Sequence, residues 1–212
     1  MQPASRNRRY LAGLLTALVL GTAIPPMAHA IEEPKYTVVQ QLGAVEVRDY
    51  APHIAATVVV PGPAEEAGNQ GFRILAAYIF GKNKGARKIE MTAPVSQQPA
   101  PQKIEMTAPV TQQPAEGGFA VQFMMPGRFT LQTLPEPLDP RIRFTAIPGG
   151  RVAVIRYSGF WSDSNYRQHL EQLRQAVEGA GLRTTGEPIY SRYDPPWVPW
   201  FMRRNEIWLR LV

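Results

Sequence analysis

Two helix-length amphipathic segments, each set between strand-like runs, constrain this chain more than any other feature. In the first, residues 64–80, the side chains Phe72, Leu75, Ala76 and Ile79 fall at i, i+3, i+4 and i+7 and share one helix face. Pro61, Gly62 and Pro63 break the chain ahead of it, and Gly81 closes it. The second spans residues 163–179, with Ser162 as N-cap, Gly181 as C-cap and a buried stripe of Tyr166, Leu170, Leu173, Val177 and Ala180. Alternating or β-branched runs predict strands at 36–39 and 45–50, joined by a turn at 41–44, and at 53–60. Further strands are expected at 119–125, 131–134, 142–147, 151–157, 187–193 and 205–211. Strands, helix, strands, and then the same again describe an α+β chain of two similar halves on a common sheet.

Between the first helix and the strand at 119–125 lies a tandem duplication. Residues 88–98 read KIEMTAPVSQQ and residues 103–113 read KIEMTAPVTQQ, a period of fifteen with one difference, Ser96 against Thr111. The period is too short, and the copies too few, for a solenoid. Each copy alternates Ile, Met and Ala with Lys, Glu and Thr and stops at a proline, which is the pattern of a strand. Residues 88–113 are therefore expected to form a hairpin or bent strand pair, with 97–102 as its connector. Either the duplication merely lengthens that hairpin, or Met91 and Met106 line a ligand groove.

Residues 1–30 read as a signal peptide outside the fold. Arg6, Arg8 and Arg9 make a positive start, residues 11–24 an apolar run, and Ala28-His29-Ala30 a small-residue cleavage site. The apolar run is shorter than the roughly twenty residues a membrane-spanning helix needs. Arg8-Arg9 raises twin-arginine export, but its flanks favour ordinary secretion. The expected product is a single domain over residues 31–212, periplasmic or secreted, that meets a membrane only during export. It has no cysteine, hence no disulfide and no thiolate metal site. Its formal charge falls from +6 to about +3 once Arg6, Arg8 and Arg9 leave, too small an excess to indicate nucleic-acid binding.

Signatures of catalysis are missing from the sequence: there is no G-x-S-x-G, no Walker loop and no dinucleotide-binding glycine pattern. The two histidines beyond residue 30, His53 and His169, stand at no metal-ligand spacing. Glu187 and Glu206 could face the sheet interior. A buried glutamate with a raised pKa can serve as acid or base, whereas an exposed or ion-paired one is structural. Lys82, Lys84, Arg87 and Lys88 follow the first helix and either complement its dipole or form a cationic rim.

Four stretches carry a family resemblance. They are GFRILAAYIFGKNKGARKIEMTAPV (71–95), VQFMMPGRFTLQTLPEP (121–137), RVAVIRYSGFWSD (151–163) and YDPPWVPWFMRRNEIWLRL (193–211). In this order they resemble the SOUL, or haem-binding-protein, family over nearly all the chain beyond residue 31. The resemblance implies a twisted, barrel-like antiparallel or mixed sheet flanked by two helices, and non-covalent haem as the possible cofactor. It places a haem groove between the first helix and the closing loop, which carries Phe72, Leu75, Ala76 and Ile79 on the helix and Trp197, Trp200 and Phe201 on the loop. The residues themselves suit that chemistry: haem is an apolar disc with two carboxylates, and Arg203 and Arg204 could pair with them. His53 and His169 are the candidate axial ligands, and no other metal is expected. The function implied is an exported, non-enzymatic buffer or carrier of haem or a related tetrapyrrole. The alternatives are an effector-binding-like module for another apolar or cationic ligand, with Glu187 or Glu206 as its carboxylate, and a hydrolase using the same cleft. Intact-mass or N-terminal analysis of the protein recovered outside the cytoplasm should find Ile31 as the first residue; a chain that still starts at Met1 would refute the leader.

Overall fold

The computed structural model describes residues 31–85 and 101–212. Along these the elements run β1 (Tyr36–Leu42), β2 (Val45–Tyr50), β3 (His53–Val60), α1 (Ala64–Ile79), β4 (Val110–Ala115), β5 (Gly118–Met124), β6 (Arg143–Ile147), β7 (Gly150–Tyr157), α2 (Asp163–Gly179), β8 (Thr184–Arg192) and β9 (Asn205–Leu211). The strands make one sheet in the order β1-β2-β7-β9-β8-β4-β5-β3-β6, and every ladder in it is antiparallel. The sheet is α+β in class as expected, but it is open rather than a closed barrel, with β1 and β6 as its edges.

Apart from β1, that order is symmetric about the contact between β4 and β8. Each half contributes a strand, a helix and a hairpin: β3, α1, β4 and β5 in one, β7, α2, β8 and β9 in the other. In both, the last strand lies between the other two. The strand preceding each half crosses over. β2 pairs with β7 of the second half, and β6 pairs with β3 of the first. The two similar halves are thus laced together by exchanged strands.

The helices lie over their own halves. One core contains Leu75, Ala76 and Ile79 of α1 with Ala56, Val58 and Val60 of β3 and Val121 and Phe123 of β5. The other contains Leu173 and Val177 of α2 with Ala153 and Ile155 of β7 and Ile207 and Leu209 of β9. Tyr50, Val152, Val154, Ile189 and Trp208 form a smaller cluster, placed on the opposite sheet face by the two-residue period of the strands. Ser162 caps α2 as expected, its hydroxyl accepting from the Asn165 amide at 3.3 Å. The C-cap is Ala180, and Gly181 follows it with φ +68, a conformation that glycine adopts without strain. Ala180 itself is exposed, and Ala176 packs in its place.

Two expectations are corrected. Residues 131–134 form a turn, not a strand: the Leu134 amide donates to the Thr130 carbonyl at 3.0 Å. Only Leu134 is buried there while Leu131 is exposed, so the run lacks a face to lay on the sheet. The duplication does not build a hairpin through β4. Strand structure in the second copy starts only at Val110, and β4 lies between β8 and β5, so both of its sides are occupied. The hairpin partner of β4 is the following strand, β5. The first copy, with Met91, lies outside the described residues. Met106 is partly exposed and lines none of the cavities described below.

α1 approaches β5 closely because Gly71 has no side chain. A Cβ at this position would stand 2.6 Å from Val121 Cβ and Cγ2. Both lie in the packed core, where extra volume has nowhere to go. Gly71→Ala should therefore destabilise the protein by about 1–3 kcal/mol, as overpacked cores do. A thermal melt reads this as a drop of roughly 2–4 °C per kcal/mol; an unchanged melt would mean that α1 is not seated as described.

Candidate ligand cleft between the helices

Where the two halves meet, the N-terminal ends of α1 and α2 stand on either side of β4 and β8 and enclose a cleft of about 520 Å³. Its walls carry four aromatic side chains: Phe119 of β5, Trp161 just ahead of α2, Tyr166 of α2 and Tyr190 of β8. Tyr166 and Tyr190 meet edge to face at 5.1 Å. Trp161 is fixed by its indole N–H, which donates to Asn205 Oδ1 at 2.8 Å. Burial raises the Tyr166 phenol above its ordinary pKa, so it stands in the cleft as a neutral hydroxyl.

Arg192, at the end of β8, is the half-buried charge of the cleft, whose other charged lining residues, Glu65 and Asp163, are exposed. Its guanidinium lies 4.5 Å from the Trp161 ring centroid and 5.1 Å from that of Tyr190. No carboxylate pairs with it among the described residues, and its buried Nε has no hydrogen-bond partner. The absence of a side chain at Gly68 makes room here: a Cβ would come within 2.5 Å of Gln112 Oε1 and 3.5 Å of an Arg192 terminal nitrogen. A half-buried cation held only by ring faces, beside a helix N-terminus with no side-chain cap, is a place for an anion. The cleft thus offers aromatic walls for a flat apolar body and one cation for a carboxylate.

A second groove, about 540 Å³, runs along the outer flank of α1, lined by Ile74, Ala77, Tyr78, Leu138 and Ile142 with Arg73 and Lys82. Its walls are largely aliphatic, and its Tyr78 hydroxyl already donates to the Pro135 carbonyl at 2.9 Å. Of the basic cluster after α1, Lys84 pairs with Glu136 at 2.6 Å. Arg87 and Lys88 lie outside the described residues.

The residues expected to form a haem groove are not brought together. Leu75, Ala76 and Ile79 are buried in the α1 core, and half-buried Phe72 packs on Phe123 at 5.5 Å between ring centroids. Trp197, Trp200 and Phe201 are exposed on the closing loop, and none of them lines the cleft. Arg203 donates to the Val198 and Pro196 carbonyls at 2.8 and 2.5 Å and lies 4.6 Å from the Trp161 ring centroid. Arg203 is thus the loop side chain that meets a residue of the cleft wall, at Trp161. His53 and His169 do not line it either; His169 stacks on Tyr157 at 4.2 Å and its Nδ1 sits 2.7 Å from the Asn165 carbonyl. Among the described residues no three His, Cys, Asp or Glu side chains converge as a metal site. Sequence reasoning passed over Phe119, Trp161, Tyr166, Tyr190 and Arg192 as a set. Each looks like an ordinary core or strand residue, and only the β4–β8 junction assembles them.

Arg204 and Glu206 belong to a different structure. Glu206 is fully buried on β9 and accepts from Arg48 at 3.0 Å, Tyr193 at 2.9 Å, Trp208 at 2.8 Å and Arg204 at 3.0 Å. Arg204 also grips both Glu33 oxygens, at 3.0 and 3.1 Å, and Arg48 holds Glu46 at 2.7 Å. Burial opposes ionisation of Glu206, but Arg48 and Arg204 outweigh it and hold the carboxyl below its usual range. That is the reverse of what a general acid or base near neutral pH needs, so Glu206 is the ion-paired residue of the two readings. Glu187 is exposed.

Comparison with known proteins agrees with this architecture. Residues 31–210 match the SOUL heme-binding protein family. The chain belongs to that family. It is 28% identical to heme-binding protein 1 of Mus musculus, over 73% of this chain and 77% of that one. It is likewise 28% identical to heme-binding protein 2 of Homo sapiens, over 89% and 90%. Among solved structures the C-terminal domain of EcmrR superposes with a TM-score of 0.56 at 16% identity, over 84% of this chain and 98% of that one. A hydrolase from Listeria innocua superposes at 0.51 and 13%, over 87% and 94%. Both share the fold.

The Glu206 cluster sets an acid limit on this SOUL family chain. A carboxyl more acidic in the folded than in the unfolded state contributes stability above the unfolded pKa, which is lost as pH falls through the folded one. Thermal stability should therefore decline below the ordinary carboxylate range, about pH 4. Glu206→Gln should lose about 3 kcal/mol at neutral pH by removing the buried carboxylate between Arg48 and Arg204, which keep only their outer partners Glu46 and Glu33. A neutral-pH melt unchanged by this substitution would remove the cluster from the account of stability.

Proposed function

We propose that this chain is a non-enzymatic binder of haem or a related tetrapyrrole, and that the cleft between the helices is where the ligand lies. Membership of the SOUL family supports the ligand class, and Arg192 is the single observation that supports the place. Phe119, Trp161, Tyr166 and Tyr190 would hold the macrocycle by ring contacts, and Arg192 would receive a propionate. Iron, when present, would offer redox and axial-ligand chemistry. Neither His53 nor His169 lines the cleft, so any ligand to iron from the described lining would be an oxygen side chain, Tyr166 and Tyr190 among them. With no histidine there, recognition rests on shape and charge, which suits reversible carriage or buffering outside the cytoplasm after removal of residues 1–30. Among the cleft's charged groups the half-buried one is a cation, which favours an anionic ligand over the cationic one that an effector-binding-like module would take.

An absorbance and Trp-quenching titration with ferric haem and, separately, metal-free protoporphyrin tests this. Saturable binding of both is expected. Arg192→Gln should weaken both by roughly ten- to a hundredfold, the worth of one charged hydrogen bond. Equal affinity in the variant would move the ligand out of this cleft, and no binding by either form would overturn the ligand class.

A further inference from the structure

The closing loop between β8 and β9 exposes more large apolar surface than any other described segment. Trp197 is 81% exposed, Met202 66% and Phe201 62%, and Trp200 and the neighbouring Phe160 are exposed beside them. Contiguous exposed apolar groups of this kind mark an interaction site. The loop cannot turn them inward. Its ends are closed by the Tyr193 amide on the Arg204 carbonyl at 3.2 Å and the Arg204 amide on Asp194 Oδ2 at 2.6 Å. Arg203 ties down the Val198 and Pro196 carbonyls from within, and the Gly159 amide donates to the Trp200 carbonyl at 2.9 Å. Trp200 stacks on Phe160 at 5.0 Å with the ring planes 9° apart, and Phe201 abuts Trp200 edge-on at 5.4 Å. Three prolines, Pro195, Pro196 and Pro199, stiffen what remains.

The loop's charges are all engaged inside the protein. No acidic residue lies between Pro195 and Arg204. Arg203 serves the loop carbonyls, Arg204 serves Glu33 and Glu206, and Asp194 accepts from the Arg204 amide. The tip therefore presents Trp, Phe and Met with no free ion of either sign. Two occupants could cover it. A stable protein interface uses about 20–30 residues a side, and this patch is a handful on one narrow loop. Insertion into the headgroup boundary of a bilayer needs no more than such a tip, and Trp is the side chain that favours that depth.

We propose that this loop docks the folded protein on a lipid bilayer, with Trp197, Phe201 and Met202 entering the interface. The chain then meets membranes as a folded protein, and not only during export. Because Arg203 and Arg204 are occupied, docking rests on apolar insertion and is indifferent to anionic lipid.

The test is quenching of Trp fluorescence in the full chain by phosphatidylcholine vesicles with brominated acyl chains. Every Trp of the chain lies at position 161 or beyond, so quenching reads the depth of these Trp side chains and not that of residues 1–30. The expected result is quenching on zwitterionic vesicles that survives about 0.5 M salt, roughly three times physiological ionic strength, and gains little from anionic lipid. Trp197→Ser with Phe201→Ser should reduce vesicle partitioning by at least about tenfold, because each removes a large apolar side chain from the interface. Its circular dichroism and thermal melt should stay as in the parent, since both side chains are exposed. Trp197→Phe should keep partitioning while losing most of the quenching, which separates docking from the reporter. Absence of quenching in the parent, binding that requires anionic lipid and disappears in salt, or a concentration-dependent dimer abolished by the double substitution would each overturn the proposal.

Discussion

The ion cluster around Glu206 is the interaction on which the second half of the molecule depends. One buried carboxylate on β9 gathers an arginine from β2, an arginine and a tyrosine from the two ends of the closing loop, and a tryptophan from its own strand. Through Arg204 it also reaches Glu33, so the segment ahead of β1 is tied to the same point. Two charges taken out of water hold together only when both are paired and hydrogen-bonded, and here every oxygen of Glu206 has partners. The rings of Trp208 and Tyr50, 4.9 Å apart, then pack on the side chains that the cluster has fixed. Neighbouring Asn205 does the equivalent on the cleft side by holding Trp161. Two consecutive residues thus set one aromatic wall on each face of the sheet, which follows from the alternation of side chains along a strand.

The symmetry of the sheet explains why the cleft lies where it does. Each helix covers the core of its own half, and only their N-terminal parts come to the β4–β8 junction, α1 through Gly68 beside Gln112 and Arg192 and α2 through Tyr166 against Tyr190. What remains between them is a trough with two helix N-termini at its edges. A chain of two such halves acquires this trough from its topology, before any residue is chosen to line it. The side chains then decide what the trough accepts, and in this chain they are aromatic with one unpaired guanidinium.

Much of the fold was legible because the periodicities are strong. β2, β3, β9 and α2 have the boundaries that the sequence suggests, since each has a clear apolar face bounded by turn or cap residues. Residues 131–134 misled because two leucines three apart in a short run fit a strand or a turn equally, and the Thr130 and Thr133 hydroxyls select the turn. The duplicated segment misled for a different reason. Its alternation is real, but β4 has both sides taken by β5 and β8, and only the long-range pairing of the halves makes that so. The cleft was the least legible part. The aromatic loop drew attention because its residues are conspicuous in one stretch, whereas Phe119, Trp161, Tyr166, Tyr190 and Arg192 come from four separate elements. Arg192 in particular looks like any charged residue at a strand end until the missing carboxylate around it is noticed.

The position of β9 carries a consequence for how the molecule is made. It spans residues 205–211, follows β8 in sequence, and is hydrogen-bonded on both sides, between β7 and β8. It also brings Asn205 and Glu206 to the two aromatic walls. Until that strand has left the ribosome, the second half has a gap through its middle, and the exchanged strand β2 has no finished neighbour to rest on. Pairings so distant in sequence slow folding and make it depend on the whole chain. The sheet of the second half therefore closes only when residues 205–211 take their place between β7 and β8, whereas the first half has its own core without them.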